Sequence, residues 1–261
     1  MERVIAFDAW SHFAYFRRHY TTTSASTHPF IPRSAVEGLV GAIVGYRSEE
    51  YPDLLWDARI AVELRKSGDL VQRITKVPFG ISYTHSDFWQ QVGRYLRSGG
   101  NLNHVRGPRS IEILKEPKYR IYFSSEHSGV YSRLLQNLRE HHTHYTPYLG
   151  SSNMLANFEF VGEYEITAET ESSSKAERII SIIPFFKRIP RVKVEQKSHY
   201  GIEQNIPLHL NSERKATGYY SAIYSPEPGQ TIMASNASFS TLKMGSEVFN
   251  IAFIPTTPSP A

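Results

Sequence analysis

From Ser11 the chain reads Ser-His-Phe-Ala-Tyr-Phe-Arg-Arg-His-Tyr20, and then Thr-Thr-Thr-Ser-Ala-Ser-Thr27. Aromatic rings offer stacking surfaces to unpaired bases, Arg17 and Arg18 can pair with phosphates, and the hydroxyl run can hydrogen-bond phosphate or ribose oxygens. The stretch leads to Arg33 beside the N-terminus of a helix, itself favourable for an anion. The same residues also suit an ordinary surface loop with Phe13 and Phe16 tucked into a core, and composition weighs the two readings equally.

Other chemistries find less support. His141, His142 and His144 invite a metal, but zinc needs a further ligand in a fixed geometry. Histidines at a helix C-terminus are favoured by the dipole and by capping of free carbonyls, and that structural reading is preferred. Aspartates and glutamates are dispersed, with no pair spaced for a two-metal nuclease. No GxxxxGK[ST] motif occurs, so nucleotide hydrolysis is unsupported. With no cysteine in 261 residues, disulfides and thiolate metal sites are excluded. No cofactor and no metal is expected.

Lys and Arg number 29 against 25 Asp and Glu, and the sequence pI of about 9.1 leans toward an anionic partner. A hydrophobic content of 40% excludes a mostly disordered chain. The start, Met1-Glu-Arg-Val-Ile-Ala-Phe-Asp-Ala-Trp10, lacks the regions of a signal peptide, and no run of eighteen apolar residues occurs. A soluble, cytoplasmic protein with no membrane contact is expected.

The positioning elements are legible in the periodicity. Val4 to Trp10 reads as a buried strand. Val36, Leu39, Val40 and Ile43 fall at i, i+3, i+4 and i+7, a helix packed on a sheet, and Ser34 with Glu37 forms a capping-box pattern behind Pro32. Ile60, Val62 and Leu64 alternate with polar neighbours as a second strand, and Tyr119 to Phe123 forms a third. Val130, Leu134, Leu135 and Leu138 make a second helical stripe, and Phe158 to Ile166 makes a fourth strand. Gly38, Gly41 and Gly45 fall inside the first helix, at roughly 1 kcal/mol each relative to alanine, so close packing on the sheet or approach of another chain must compensate.

Strand, helix, strand, strand, helix, strand is the ferredoxin-like, RRM-like order of an α+β domain, with both helices on one sheet face and the other face open to bind. The domain spans 1–166. Residues 67–110, with Gly80, Gly93, Gly99, Gly100 and Gly107, read as a long hairpin excursion, and 167–261 as a smaller β-rich C-terminal appendage with a loose, proline-rich end.

Phe7-Asp-Ala-Trp-Ser-His-Phe-Ala-Tyr-Phe-Arg17 and Phe30-Ile-Pro-Arg-Ser-Ala-Val-Glu-Gly-Leu-Val-Gly-Ala-Ile-Val-Gly45 resemble the N-terminal signature of the fifth CRISPR-associated (Cas) protein family. Arg109 to Tyr122, Tyr148 to Asn157, and Ile206 through Arg214 to Tyr224 are similar to later segments of that family. The resemblance is strong at the N-terminus and weak over 65–105 and 165–200. It implies a non-catalytic subunit of a type I surveillance complex (Cascade), type I-B-like, acting in antiviral defence. Such a subunit clamps the five-prime handle of the crRNA, caps the filament of backbone subunits and contacts the large subunit, with target DNA near the PAM as a further partner. By position, Phe13, Arg17, Arg18, Thr22, Ser24 and Arg33 would grip the handle. The 67–110 excursion would be the thumb, with Arg106 and Arg109 near the RNA, and Gly150 and Ser151 would line the same groove.

One branch of that family cuts precursor crRNA without metal, using Tyr, Lys and His. Tyr46, His104 and Lys118 are the corresponding candidates for the alternative, a metal-independent endoribonuclease, although the branch's adjacent Lys-His arrangement is not evident. Cleavage needs a base for the ribose 2′-hydroxyl and an acid for the leaving oxygen.

Overall fold

The computed structural model describes residues 2–21, 25–78, 106–193 and 199–257, with the side chains of 72–78 and 106–110 left aside. Strand β1 (Arg3–Ser11) is buried along nearly its whole length because both of its faces are covered. Ile5, Phe7 and Ala9 face two helices, α1 (Arg33–Val44) and α3 (Ser128–Arg139), whereas Val4 and Ala6 enter a separate apolar cluster. A strand covered on both sides reads as a continuous apolar run, as this one does.

Around β1 lie β3 (Arg59–Lys66), β6 (Lys118–Ser124) and β7 (Ala156–Thr170), in the sheet order β7-β1-β6-β3, and each neighbouring pair is antiparallel. Chain order is β1, α1, β3, β6, α3, β7, so the strand-helix-strand-strand-helix-strand succession stands where the periodicity places it. Val36, Leu39, Val40 and Ile43 of α1 and Val130, Leu134 and Leu138 of α3 all join the cluster on one sheet face. Fully burying each such side chain contributes about 1.5–3 kcal/mol.

The capping-box expectation is corrected. Helix α1 begins at Arg33 with Pro32 as its cap, and no side chain caps it. Glu37 is instead buried beneath the helix, drawn there by two cationic partners described below. At the other end Gly45 adopts φ +97° and closes the helix in the left-handed conformation.

Between β3 and β6 the chain leaves the sheet as β4 (Asp69–Pro78) and returns as β5 (Arg106–Lys115). The two pair continuously from Asp69 opposite Lys115 to Pro78 opposite Arg106. A two-residue strand, β2 (Phe13–Ala14), joins the hairpin through Phe13 opposite Lys115, tying the first loop to its base.

The sheet face opposite the helices is not open along its length. Strand β14 (Phe239–Met244) pairs with the second half of β7, and β15 (Glu247–Ile251) follows it. Leu242 and Ile251 then cluster with fully buried Val4, Ala6 and Ala61. The Tyr122 and Tyr164 rings meet Phe249 with centroids 5.8 and 5.1 Å apart. Sheet twist explains the closure: nine strands curl until Ile254 bridges Ile60 and the Ile182 N–H donates to the Val62 carbonyl at 2.9 Å, both on edge strand β3. The boundary at 166/167 falls inside β7, and strands from the C-terminal region extend the same sheet. A separate small sheet joins β11 (Gly201–Pro207), β12 (Tyr219–Tyr224) and β9 (Ile183–Phe185).

Candidate nucleic-acid interface

The first loop is folded on itself. The Arg18 N–H donates to the Ser26 carbonyl, the His28 N–H to the Phe16 carbonyl, and the Phe16 N–H to the Thr27 hydroxyl at 2.9 Å, so the segments around 17 and 27 run side by side. The Tyr15 N–H donates to the Leu149 carbonyl at 3.2 Å, docking the loop on the turn at 148–151. Gly150 there has φ +86°, and a Cβ at this position would overlap the Tyr15 carbonyl oxygen. Only glycine satisfies both conditions.

A groove of about 640 Å³ opens between that loop, the outer face of α1, the 145–150 turn and the 207–214 segment. Ala35, Gly38 and Ala42 form a shallow floor on α1. The walls carry the rings of Tyr15, Tyr46, Tyr51, Tyr145 and Tyr148, and Arg17, Arg47 and Arg214 edge it. All three arginines are exposed, as are Tyr145 and Tyr148 at 41% and 44%.

Helix α2 (Tyr51–Leu55) accounts for two of the helical glycines. A Cβ at Gly41 would lie 3.0 Å from the Tyr51 Cβ, and one at Gly38 would lie 3.6 Å from its hydroxyl. Tyr51 thus packs flat on α1, and its hydroxyl accepts a 2.7 Å hydrogen bond from Arg214. Burial pushes the Tyr51 phenol above its ordinary pKa against the opposing pull of Arg214, and burial does the same for Tyr15. Both therefore stay neutral, Tyr51 as a buried wall of the groove and Tyr15 as a half-buried one.

Two ionic knots hold the groove from behind. Glu203 on β11 accepts from Arg18 at 2.8 and 2.7 Å and from the Nδ1 of buried His28 at 2.7 Å. Glu37 meets the Arg33 Nε at 2.9 Å and the His209 Nδ1 at 2.8 Å. Burial raises the Glu37 carboxyl pKa, although its hydrogen bonds and charges from His209 and Arg33 pull the other way.

These contacts correct one expected site residue. Arg33 is fully buried, and its remaining donors reach backbone carbonyls including that of Trp56 at 2.9 Å. Its guanidinium is ion-paired with Glu37 inside the fold rather than facing a ligand. Arg18 is also committed to Glu203, with its side chain 27% exposed. Arg17 stays exposed, its guanidinium reaching, among the described residues, the Thr21 carbonyl at 3.4 Å. Phe13 is half-buried at the hairpin base, Gly150 lines the groove, and the Ser151 hydroxyl bonds Asn153 at 2.7 Å. Arg106 and Arg109 sit on β5, their side chains outside the described residues, as are Thr22, Ser24 and His104 altogether.

The candidate acid-base set is not brought together. Tyr46 lines the groove on the helical side, with Arg133 over its ring at 5.9 Å. Lys118 points from the other sheet face, paired with Asp8 at 3.0 Å and over the Trp10 ring at 5.1 Å. The three nearby histidines also diverge: His141 stacks on Phe158 at 4.7 Å, and His144 meets Gly45 and the Tyr145 ring. Among the described residues, no group of three or more His, Asp or Glu could hold a metal, and no helix is long and apolar enough to cross a membrane.

Sequence reasoning flagged the stretch that holds Tyr15 but missed Tyr51, Tyr145, Tyr148, Arg47 and Arg214 as groove residues. Tyr145 and Tyr148 could have been found from their place just before the Gly150 turn. Arg47 and Arg214 had no local signal, since only folding brings residues so far apart onto one rim.

The chain is a sheet-dominated α+β protein with few helices and a curled sheet that backs an aromatic, arginine-edged groove. Residues 4–181 match the family profile described as "CRISPR-associated protein (Cas_Cas5)", and the chain belongs to this family. Among solved structures it is similar to one titled "CRISPR RNA-guided surveillance complex", at 13% identity over 90% of this chain and 91% of that one, with a TM-score of 0.50. It is also similar to "Crystal structure of a CRISPR protein from Archaeoglobus fulgidus", at 14% identity over 96% and 99% of the two chains, with a TM-score of 0.47. A third, "Crystal structure of Cas protein", is 13% identical over 89% and 95%, with a TM-score of 0.46. The first of these likenesses extends to the fold. No curated protein sequence matches the chain.

Proposed function

We propose that this protein is a non-catalytic subunit of a CRISPR effector complex, type I-B-like, that holds the five-prime handle of the crRNA in the groove between its first loop and the 145–150 turn. Family membership supports a place in such a complex, as does a fold shared with a chain from an RNA-guided surveillance complex. The observation that carries the assignment of the groove is its lining: five tyrosine rings with three exposed arginines along the rim. Rings that stack on unpaired bases beside cations that meet phosphates are the recognition chemistry of single-stranded RNA.

In this reading the central four strands and two helices are a ferredoxin-like core, the β4–β5 hairpin is the stem of the thumb, and a backbone subunit and the large subunit pack around it. Processing of precursor crRNA would require Tyr46 and Lys118 at one phosphate, and they line different cavities.

The test is binding of labelled repeat RNA across a salt series, compared with the Arg17→Gln/Arg47→Gln variant. Loss of two single-strand phosphate contacts should lower affinity and reduce the salt slope by about 1.4. Unchanged affinity and slope would remove the groove from consideration. Incubation of the protein with repeat RNA in EDTA should leave the RNA intact, and specific cleavage would restore the enzyme reading.

A further inference from the structure

A second charged surface lies at the far end of the nine-stranded sheet. Between Glu177 and Glu195 the chain carries Arg178, Lys187, Arg188, Arg191 and Lys193, and not one acidic residue. Three short strands organise it: β8 (Glu177–Ile179), β10 (Arg191–Val192) and β13 (Ile232–Ser235), with β10 on the edge.

Their register sorts the side chains. Arg191 opposes Ser235 and Val192 opposes Ala234, and the Lys193 N–H continues the ladder by donating to the Met233 carbonyl at 2.8 Å. Met233 in turn opposes Arg178. Residues directly opposed across strands share a face, so Arg191, Lys193 and Arg178 share one, and Val192, Ala234 and Ile179 share the other. That second face is packed into an apolar cluster, which forces the first outward, and all three cations are exposed. Lys193 and Arg178, separated by one strand, stand about 10 Å apart. Lys187 and Arg188 extend the exposed charge into the preceding turn.

Several surface cations elsewhere are matched, Arg59 with Glu2 and Glu169, Arg139 with Glu163, Lys66 with Glu116, and those without a carboxylate, such as Arg17, Arg47 and Lys243, lie apart from this face. None of the five cations here has a carboxylate partner among the described residues. Among the described residues of these three strands the outward face carries no aromatic ring, its other members being Met233 and Ser235. A flat array of unpaired cations without rings meets phosphates and offers unpaired bases nothing to stack on, the reverse of the tyrosine-lined groove.

We propose that the Arg178–Arg191–Lys193 face is a second nucleic-acid site, which binds a duplex through its phosphate backbone without reading sequence. The whole protein would be titrated with a fluorescent 30-base-pair DNA duplex of arbitrary sequence between 50 and 200 mM salt. Three phosphate contacts predict a slope near −2.7, a roughly fortyfold loss of affinity over that range. The Arg191→Gln/Lys193→Gln variant should reduce the slope by about 1.8 while binding repeat RNA as before. Lys243→Gln, which removes an exposed cation on β14, should change neither. The idea is overturned if the wild type shows no salt-dependent duplex binding, if the double variant keeps the slope, or if Lys243→Gln weakens binding equally. A single strand of the same length competing as well as the duplex would overturn it too. An RNA duplex should compete within a few-fold of DNA, because phosphates alone carry the contact, and a strong preference for either would contradict backbone recognition. Since the site shares no residue with the groove, the Arg17→Gln/Arg47→Gln variant should bind duplex normally, so failure of one site is separable from failure of the other.

Discussion

Arg18 in the first loop donates two hydrogen bonds, 2.8 and 2.7 Å long, to the Glu203 carboxylate on β11, 185 positions later in the chain. The same carboxylate takes the His28 Nδ1, so both limbs of the loop are anchored to the C-terminal region by one residue. Replacing Glu203 by Ala leaves a buried histidine and a partly buried arginine unpaired. The expected cost is about 1–3 kcal/mol in chemical denaturation, together with faster amide exchange in residues 15–28.

Gly150 provides a stricter test of the same loop. Its φ of +86° and its contact with the Tyr15 carbonyl both exclude a side chain. Gly150→Ala should destabilise the fold by about 3 kcal/mol through backbone strain and overlap. RNA affinity should fall with it, because Tyr15 is displaced from the groove wall. Thermal unfolding beside repeat-RNA binding would measure both effects, and wild-type stability would contradict the docking geometry.

Tyr145 and Tyr148 differ from the buried tyrosines in being largely exposed on the groove wall. Tyr148→Ala should weaken repeat-RNA binding by about 1–3 kcal/mol if a base stacks there, and Tyr148→Phe should retain most of the affinity. Equal losses in both variants would point to the hydroxyl rather than the ring. Stability should be nearly unchanged in either case.

Asp8 controls an acid-sensitive element on the other sheet face. Burial would raise its pKa, but hydrogen bonds and charges from Arg120 and Lys118 outweigh that and hold it below the usual 3.8. With the folded pKa below the unfolded one, the folded protein binds fewer protons in the interval between them, so stability falls as pH drops through it. This contribution is fully present above about pH 4 and is lost below. Asp8→Asn should remove it, so the variant loses stability at neutral pH but shows a shallower decline on acidification, followed by urea midpoints between pH 2 and 7.

The element order was legible because the periodicities were strong: Val36, Leu39, Val40 and Ile43 had only one way to be buried together. The face opposite the helices was misread as open because Val4, Ala6 and Ala61 look like incidental small residues until Leu242 and Ile251 arrive from more than 180 positions away. Glu37 was misread as a cap for a similar reason. Its local spacing from Ser34 fits a capping box, but its partner His209 is 172 positions distant.

By itself the sequence determined the local and periodic properties: the main strands and the two long helices, and that the first loop carries rings, hydroxyls and arginines. The tertiary structure decided which of those groups remain free to bind. It buried Arg33, committed Arg18, left Arg17 exposed, and gathered Arg47, Tyr145, Tyr148 and Arg214 from separate segments onto one groove. Periodicity is a property of neighbouring residues, whereas burial and charge pairing depend on residues that meet only when the sheet curls and closes.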